Sequence, residues 1–264
     1  MTDTLLIEQT GPIQTWTINV PDAANAITGA DFIASFEMAV DAANLDTEVA
    51  AVILTGAGRF FSAGGNIHEM HRKQGVFGQG PLHQRHGYAE GIQRIPRAMQ
   101  RCEVPVIAAV NGPAIGAGCD LATMCDLRIA SEAAFFAESF VQLGLIPGDG
   151  GSWFLPRLVG MARAAEMTFT GDRVDAVTAL DWGLVNAVVS ADELPSAAHR
   201  MAERIAANPV HAVRMAKRLL LESRTASMES VLTLAAAMQP LAHLDPEHHR
   251  RVEDLTDKKN RASS

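Results

Sequence analysis

Apolar positions follow two rhythms through most of the chain and a single one near its end. Strand signals fall at Leu5–Ile7 and Ile13–Val20, parted by the turn residues Gly11 and Pro12. The runs Ala50–Leu54 and Pro105–Val110 are apolar at every position, as strands covered on both faces are, and they stop at Gly56 and at Asn111–Gly112. Leu127–Ala130, Ala134–Ala137 and Leu184–Val189 are further strand candidates. Thr28 reads as a helix N-cap with Asp31 three residues on, followed by Phe32, Ile33, Phe36, Ala39, Val40 and Ala43 at helical spacing. Tyr88–Gln100 reads as another helix, with Tyr88, Ile92, Ile95 and Met99 on one face. Strands alternating with helices predict an α/β fold. After about Leu194 the pattern is helical only, over Ser196–Asn208, Val210–Ser223, Met228–Gln239 and Glu247–Asn260. The expected organisation is an α/β core over residues 1–195 and a helical region over 196–264 whose apolar faces need a partner. Lys73–His86 is rich in Gly, Pro, Gln and His without periodicity and is expected to be a mobile loop.

Composition narrows the function classes. With 264 residues and 48% hydrophobic content the chain can bury a sizeable core, and 5% aromatic content predicts close packing of small side chains. A net charge of −8 disfavours a nucleic-acid or anionic-membrane surface, while still permitting a local basic pocket. The three cysteines, Cys102, Cys119 and Cys125, form no CxxC pair, so a reducing interior is expected. No apolar run approaches the roughly 18 residues of a membrane helix, and no signal-like segment opens the chain. A cytoplasmic protein is therefore expected.

Two segments share one architecture, a buried strand running through a glycine-rich turn into a helix start: residues 51–70 and 105–126. Small residues let a ligand carbonyl approach the backbone, and a helix N-terminus offers unpaired N–H groups. Two such turns facing each other can hold one oxyanion between two amides. Either turn alone is equally well explained by tight strand–helix packing. Neither is a dinucleotide loop, because Gly56-x-Gly58, Gly116-x-Gly118 and Gly148-x-Gly150 all lack the third glycine, and no phosphate loop is present. His68-Glu-Met-His71 is not HExxH and is read as solvated, with no metal expected. His83 and His86 are read as exposed loop residues with pocket lining as the alternative. His248–His249 with Arg250–Arg251 read as a solvated basic patch, with phosphate binding as the alternative.

These segments together resemble the crotonase (enoyl-CoA hydratase/isomerase) superfamily. Pro21 with Asn25–Ala26 looks like its P…NA turn, and Phe61-Ser-Ala-Gly-Gly-Asn-Ile67 like its F-S/A-A-G-x-D-I/L signature. Val106–Asp126 resembles its strand–glycine–helix segment, and Gly144–Gly151 followed by Leu155–Gly160 its G-x-x-P-x-x-G-G…L-x-R-x-V-G segment. Ala179–Val188 and Asn208-Pro209…Lys217 complete an ordered set covering roughly residues 5–261. The resemblance implies a spiral of ββα units with a helical C-terminal trimerisation region, a homotrimer or homohexamer. It also implies an acyl-CoA substrate and no separate cofactor, coenzyme A being part of the substrate. The oxyanion amides it implies are those of Ala63 and Ala117, Ala117 standing where many members have Gly. The substrate-binding residues it implies are Asn25, Ala26, Ser62, Gly64, Asn66, Ile67, Gly116 and Phe140, with Asn66 read as structural in place of the more frequent Asp.

Family hydratases use two glutamates. The first aligns with Asp120 and the second with Phe140, so one of the pair is shortened and the other lost. Asp149, within Pro147–Gly151, is the candidate replacement, with a helix N-cap as its structural reading. Asp120 and Asp149 are the expected catalytic residues, and Glu138, expected on the same strand face as Phe140, is a third option. Hydration of an unsaturated acyl-CoA is the leading expectation. Isomerisation, which needs only one base, is next, ahead of decarboxylation or thioester hydrolysis. A non-catalytic acyl-CoA-binding subunit is the alternative of a different class.

Overall fold

The structure is a computed structural model that describes residues 3–262; residues 1, 2, 263 and 264, at the ends of the two expected regions, lie outside the described residues. Among the described residues nine strands form two sheets. The larger sheet contains β1 (Leu5–Thr10), β2 (Ile13–Ile18), β3 (Ala51–Gly56), β4 (Val106–Val110), β6 (Leu127–Ser131) and β9 (Ala187–Val189), in that spatial order. The smaller contains β5 (Ala114–Ile115), β7 (Phe135–Ala137) and β8 (Val174–Asp175). β1 and β2 form an antiparallel hairpin, and from β2 onward the large sheet is parallel. The chain places β4 in one sheet and β5 in the other before helix α5 (Ala117–Met124), and repeats this with β6, β7 and α6 (Gly151–Thr170).

Both faces of the large sheet are apolar because both are covered. Trp16, Ile18, Val52, Leu54, Val106 and Ala108 share a core with Phe32, Phe36 and Val40 of α1 (Ala30–Leu45) and Ile95 and Met99 of α4 (Arg94–Arg101). The Trp16 and Phe36 rings meet edge to face at 5.9 Å, which adds to the burial of both. The alternate residues Ile13, Ala51, Ile53, Ile107, Ala109 and Ile129 pack on Leu194, Ala198 and Ala202 of α8 (Leu194–Ala206). α8, which starts at the expected boundary, thus buries its apolar stripe on the sheet.

Several expected elements are revised. Thr28 is not a cap: α1 starts one residue later behind an extended Gly29, and the Thr28 hydroxyl is buried without a partner. Lys73–His86 is not a structureless loop but contains a 3-10 turn at Gly75–Gly78 and helix α3 (Pro81–Ala89). Pro81 pre-sets the first turn of α3, and the helix buries none of its side chains, so it carries no apolar rhythm to read. The helix expected over Tyr88–Gln100 breaks at Glu90–Gln93, between α3 and α4. β7 ends at Ala137, and Phe140 has helical dihedrals at the entry to a 3-10 turn, so Glu138 and Phe140 share no strand face.

Beyond α8 come α9 (Val210–Glu222), α10 (Met228–Leu244) and α11 (Pro246–Ala262). α9 is fastened to the core by polar bonds: Lys217 Nζ donates to Asp126 Oδ2 at 2.7 Å and Val104 O at 2.8 Å. The Arg214 guanidinium donates to the Ala43 and Asn44 carbonyls in the last turn of α1 and to those of Asp46 and Val49 just beyond it. α10 buries no residue at all, and Leu232, Leu241 and Leu244 stand exposed on it. Lys217→Met removes the cation but leaves the Asp126 carboxylate between elements, so it should lower the unfolding free energy by about 3 kcal/mol in urea titration. Adding Asp126→Asn should recover part of that loss.

Candidate active site

Three backbone segments run side by side at the C-terminal end of β3 and β4. Ala26 bridges to Gly64 and Ser62 to Ala114. Ile27 N–H donates to Gly64 O at 2.9 Å, and Ile115 N–H to Ser62 O at 2.9 Å. Asn25 fixes the first segment from beneath. Its Oδ1 accepts from Val20 N–H at 3.0 Å, and its Nδ2 donates to Ala57 O and Phe60 O at 2.9 and 2.7 Å. Ser62 Oγ donates to Asn25 O at 2.7 Å and accepts from Gly64 N–H at 3.0 Å. The segments are too close for ordinary side chains. A Cβ on Gly64 would lie 2.7 Å from Ala117 N, and one on Gly118 2.1 Å from Ser62 O.

Beside this ladder lies a cavity of about 530 Å³, walled by Ile33, Met70, Phe77, Tyr88, Phe140 and Leu145 among others. Of the expected site residues, Ala63, Ile67, Gly116, Ala117, Phe140 and Asp149 line it. Ala26 and Asn66 line a smaller adjoining cleft with Val20 and Ala23. Asn25, Ser62 and Asp120 are fully buried, and together with Gly64 they support the walls without lining the cavity. Asn66 is structural as expected, its Oδ1 capping α2 (Ile67–His71) through the N–H groups of His68 and Glu69. Sequence reading missed the contributions of Ile33, whose helical spacing signals only core, and of Leu143 and Leu145, which belong to no periodic run.

The two expected oxyanion amides are not equivalent. Ala117 opens α5, so its N–H has no partner within the helix and points its dipole from the helix start. Ala63 N–H donates to Ala24 O at 2.9 Å, so it can reach a ligand oxygen only by sharing that bond or turning from it. Ala24 and Asn25 both sit at positive φ, 51° and 56°, in the turn that presents this carbonyl.

Three carboxyl groups meet behind and on the cavity wall. A Cβ on Gly151 would lie 2.1 Å from Asp120 Oδ1 and 3.0 Å from Glu138 Oε2, which puts those two groups side by side. Neither has a hydrogen-bond donor at either oxygen, and Asp149 Oδ1 is equally unpartnered. Burial, then the Glu138 and Asp149 charges, push Asp120 well above the usual carboxylate range. Burial raises Glu138 too, and the adjacent Asp120 and Cys119 side chains pull it part of the way back. Burial and then the Glu138 charge raise Asp149 to about 7. Asp149 is not the cap of α6: Gly150 holds that position at φ 121°, and no side chain caps the helix. The preceding turn is gripped from α3 and the junction beyond it. Gln93 Nε2 donates to Gly148 O at 2.9 Å, and a Cβ on Gly148 would sit 3.3 Å from the Tyr88 ring. Phe140 lies at the other side, 3.6 Å from where a Gly116 Cβ would be.

The remaining candidates do not converge on the cavity. His83 and His86 are exposed on α3, and Arg250 and Arg251 both pair with Glu247 of their own helix. Among the described residues no cluster of three His, Cys, Asp or Glu side chains is placed to hold a metal ion.

The family model described as enoyl-CoA hydratase/isomerase matches residues 8–254. The chain belongs to the enoyl-CoA hydratase/isomerase family. A short-chain-enoyl-CoA hydratase of Clostridium acetobutylicum is 38% identical over 236 residues, covering 86% of this chain and 85% of that one. A probable enoyl-CoA hydratase of Rhizobium meliloti is 40% identical, covering 90% of this chain and 86% of that one. The crystal structure of an enoyl-CoA hydratase from Bacillus anthracis superposes with a TM-score of 0.89 at 30% identity, covering 97% and 96% of the two chains. The fold is therefore the crotonase fold, as the sequence motifs implied.

A buried carboxyl whose folded pKa is raised favours the folded state fully only below its unfolded pKa, and that advantage is lost as pH rises through the folded value. Asp149→Asn should therefore gain on the wild type as pH rises from about 4 to about 7, and melt higher by a constant margin above that, in thermal scans. Gly64→Ala should fold poorly or lose ligand affinity about 100-fold in calorimetry with an acyl-CoA, because its methyl group would occupy the space before Ala117 N at a positive φ.

Proposed function

We propose that the enzyme adds water to a 2-enoyl-CoA thioester, with Asp149 as the proton-transferring carboxylate. What carries this reading is the position of Asp149: of the three buried acids, it alone lines the apolar cavity into which the free Ala117 N–H opens. The thioester oxygen sits on the Ala117 amide, shared with that of Ala63 once the latter loosens from Ala24 O. Charge moving onto that oxygen in an enolate-like state is worth several kcal/mol to such donors. Ionised Asp149 takes a proton from water as it attacks the β-carbon and returns it to the α-carbon. A carboxylate with a pKa of about 7 suits this work, being both ionised and basic near neutrality. The smaller cleft beside Ala26 and Asn66 receives part of the coenzyme A.

A second reading, movement of the double bond from the 3- to the 2-position, is favoured by Phe140, which stands in the sequence where the family resemblance implies the second glutamate. One base can carry one proton from the γ-side to the α-side. The apolar α10 face supports a homotrimer, or a hexamer of two trimers, in which a neighbouring copy covers it. Three buried, unpaired cysteines suit a cytoplasmic setting.

The test is incubation with 2-enoyl- and 3-enoyl-CoA esters in heavy water, followed by mass spectrometry. Water addition to a 2-enoyl ester with one deuterium at the α-carbon is the expected result. Bond migration without hydration would select the isomerase, and tight binding without any change a non-catalytic subunit. Since the base must be ionised, kcat/KM should be level above about pH 7 and fall tenfold per unit below it. Asp149→Asn should lower kcat by about 100-fold or more.

A further inference from the structure

Asp120 and Glu138 sit together in a closed space behind Asp149, and neither touches the cavity. Both have a carboxyl oxygen within 3.0 Å of one point beside Gly151, and none of their four oxygens has a donor. Two ionised carboxylates cannot stand in contact out of water, and one proton between them supplies the missing hydrogen bond. The groups facing them are few. Cys119 of α5 and Asp149 of the turn before α6 face the pair, and Tyr88 of α3 faces Asp149. Arg128 of β6 lies nearby, but its guanidinium is spent on the carbonyls of Leu184, Ala122 and Cys125. Both are sealed from solvent, and Asp120, with the Glu138 and Asp149 charges both set against it, is the harder of the two to charge. Glu138 has two neighbours with a proton to offer, Asp120 and the Cys119 thiol, and both favour its anion.

We propose that Asp120 is the protonated member of this pair and serves as a hydrogen-bond donor that holds Glu138 as an anion against Asp149. Glu138 is thus a positioning residue that acts on the reacting carboxylate through space. It keeps Asp149 a stronger base than an ordinary aspartate, and Asp120 takes no part in proton transfer to substrate. The assignment rests on Asp149 being the base proposed above, and it moves Asp120 out of the reacting pair in which the family resemblance would put it.

The pH dependence of kcat/KM separates the roles, with the position of the acid limb, not the rate, as the readout. Glu138→Gln removes the anion and should move the limb down by about one unit or more. Asp120→Asn keeps a donor toward Glu138 and should leave the limb where the wild type has it, whereas Asp120→Leu, which offers none, should shift it. If Glu138→Gln leaves the limb in place, or if Asp120→Asn moves it or abolishes turnover as Asp149→Asn does, the proposal is overturned. Retention of full turnover by Asp149→Asn would instead defeat the functional reading itself. Infrared spectroscopy of the Asp149→Asn protein gives a check independent of turnover. One protonated carboxyl band, shifting in heavy water, should persist well above neutral pH; its absence would contradict the shared proton.

Discussion

The site depends on how closely three backbone segments approach one another. Asn25–Ile27, Ser62–Gly65 and Ala114–Gly118 are laced edge to edge by main-chain bonds, and at Gly64 and Gly118 the gap leaves no room for a methyl group. This spacing sets Ala117, the first residue of α5, in the cavity wall. Everything beneath serves to hold it. The Asn25 amide ties its own turn to Ala57, Phe60 and Val20, and Ser62 ties that turn to the next. A sheet buried on both faces keeps β3 and β4, from which two of the segments spring, in fixed register.

Against this rigid wall the chemistry is set by charge in a dry place. Three carboxyls share a region where the described residues provide no cation to neutralise them, so each is harder to ionise than in water. The cost in stability is the usual companion of a tuned base. Phe140 adds an aromatic ring to the wall of the cavity that Asp149 also lines.

Much of this was legible in the sequence because it rests on local rules. The apolar runs at Ala50–Leu54 and Pro105–Val110 announce strands covered on both faces, and the paired glycine turns announce close backbone approach. What was not legible depends on where the chain goes after an element ends. Glu138 looked like a strand neighbour of Phe140, but the strand stops before it and the two side chains part. Asp149 had an equally good reading as a helix cap until Gly150, at φ 121°, took that position. α3 was missed because a helix that buries nothing needs no apolar stripe. The engagement of Ala63 N–H by Ala24 O is a matter of two segments far apart in sequence, and no local pattern records it.

The central claim is that Asp149, not Asp120, meets the reacting carbons. A crystal structure with a bound, unreactive acyl-CoA thioether tests it most directly. The account predicts the α- and β-carbons beside the Asp149 carboxylate, with Phe140 across from it and Asp120 screened behind the wall. Finding those carbons against Asp120, with Asp149 turned away, would contradict it.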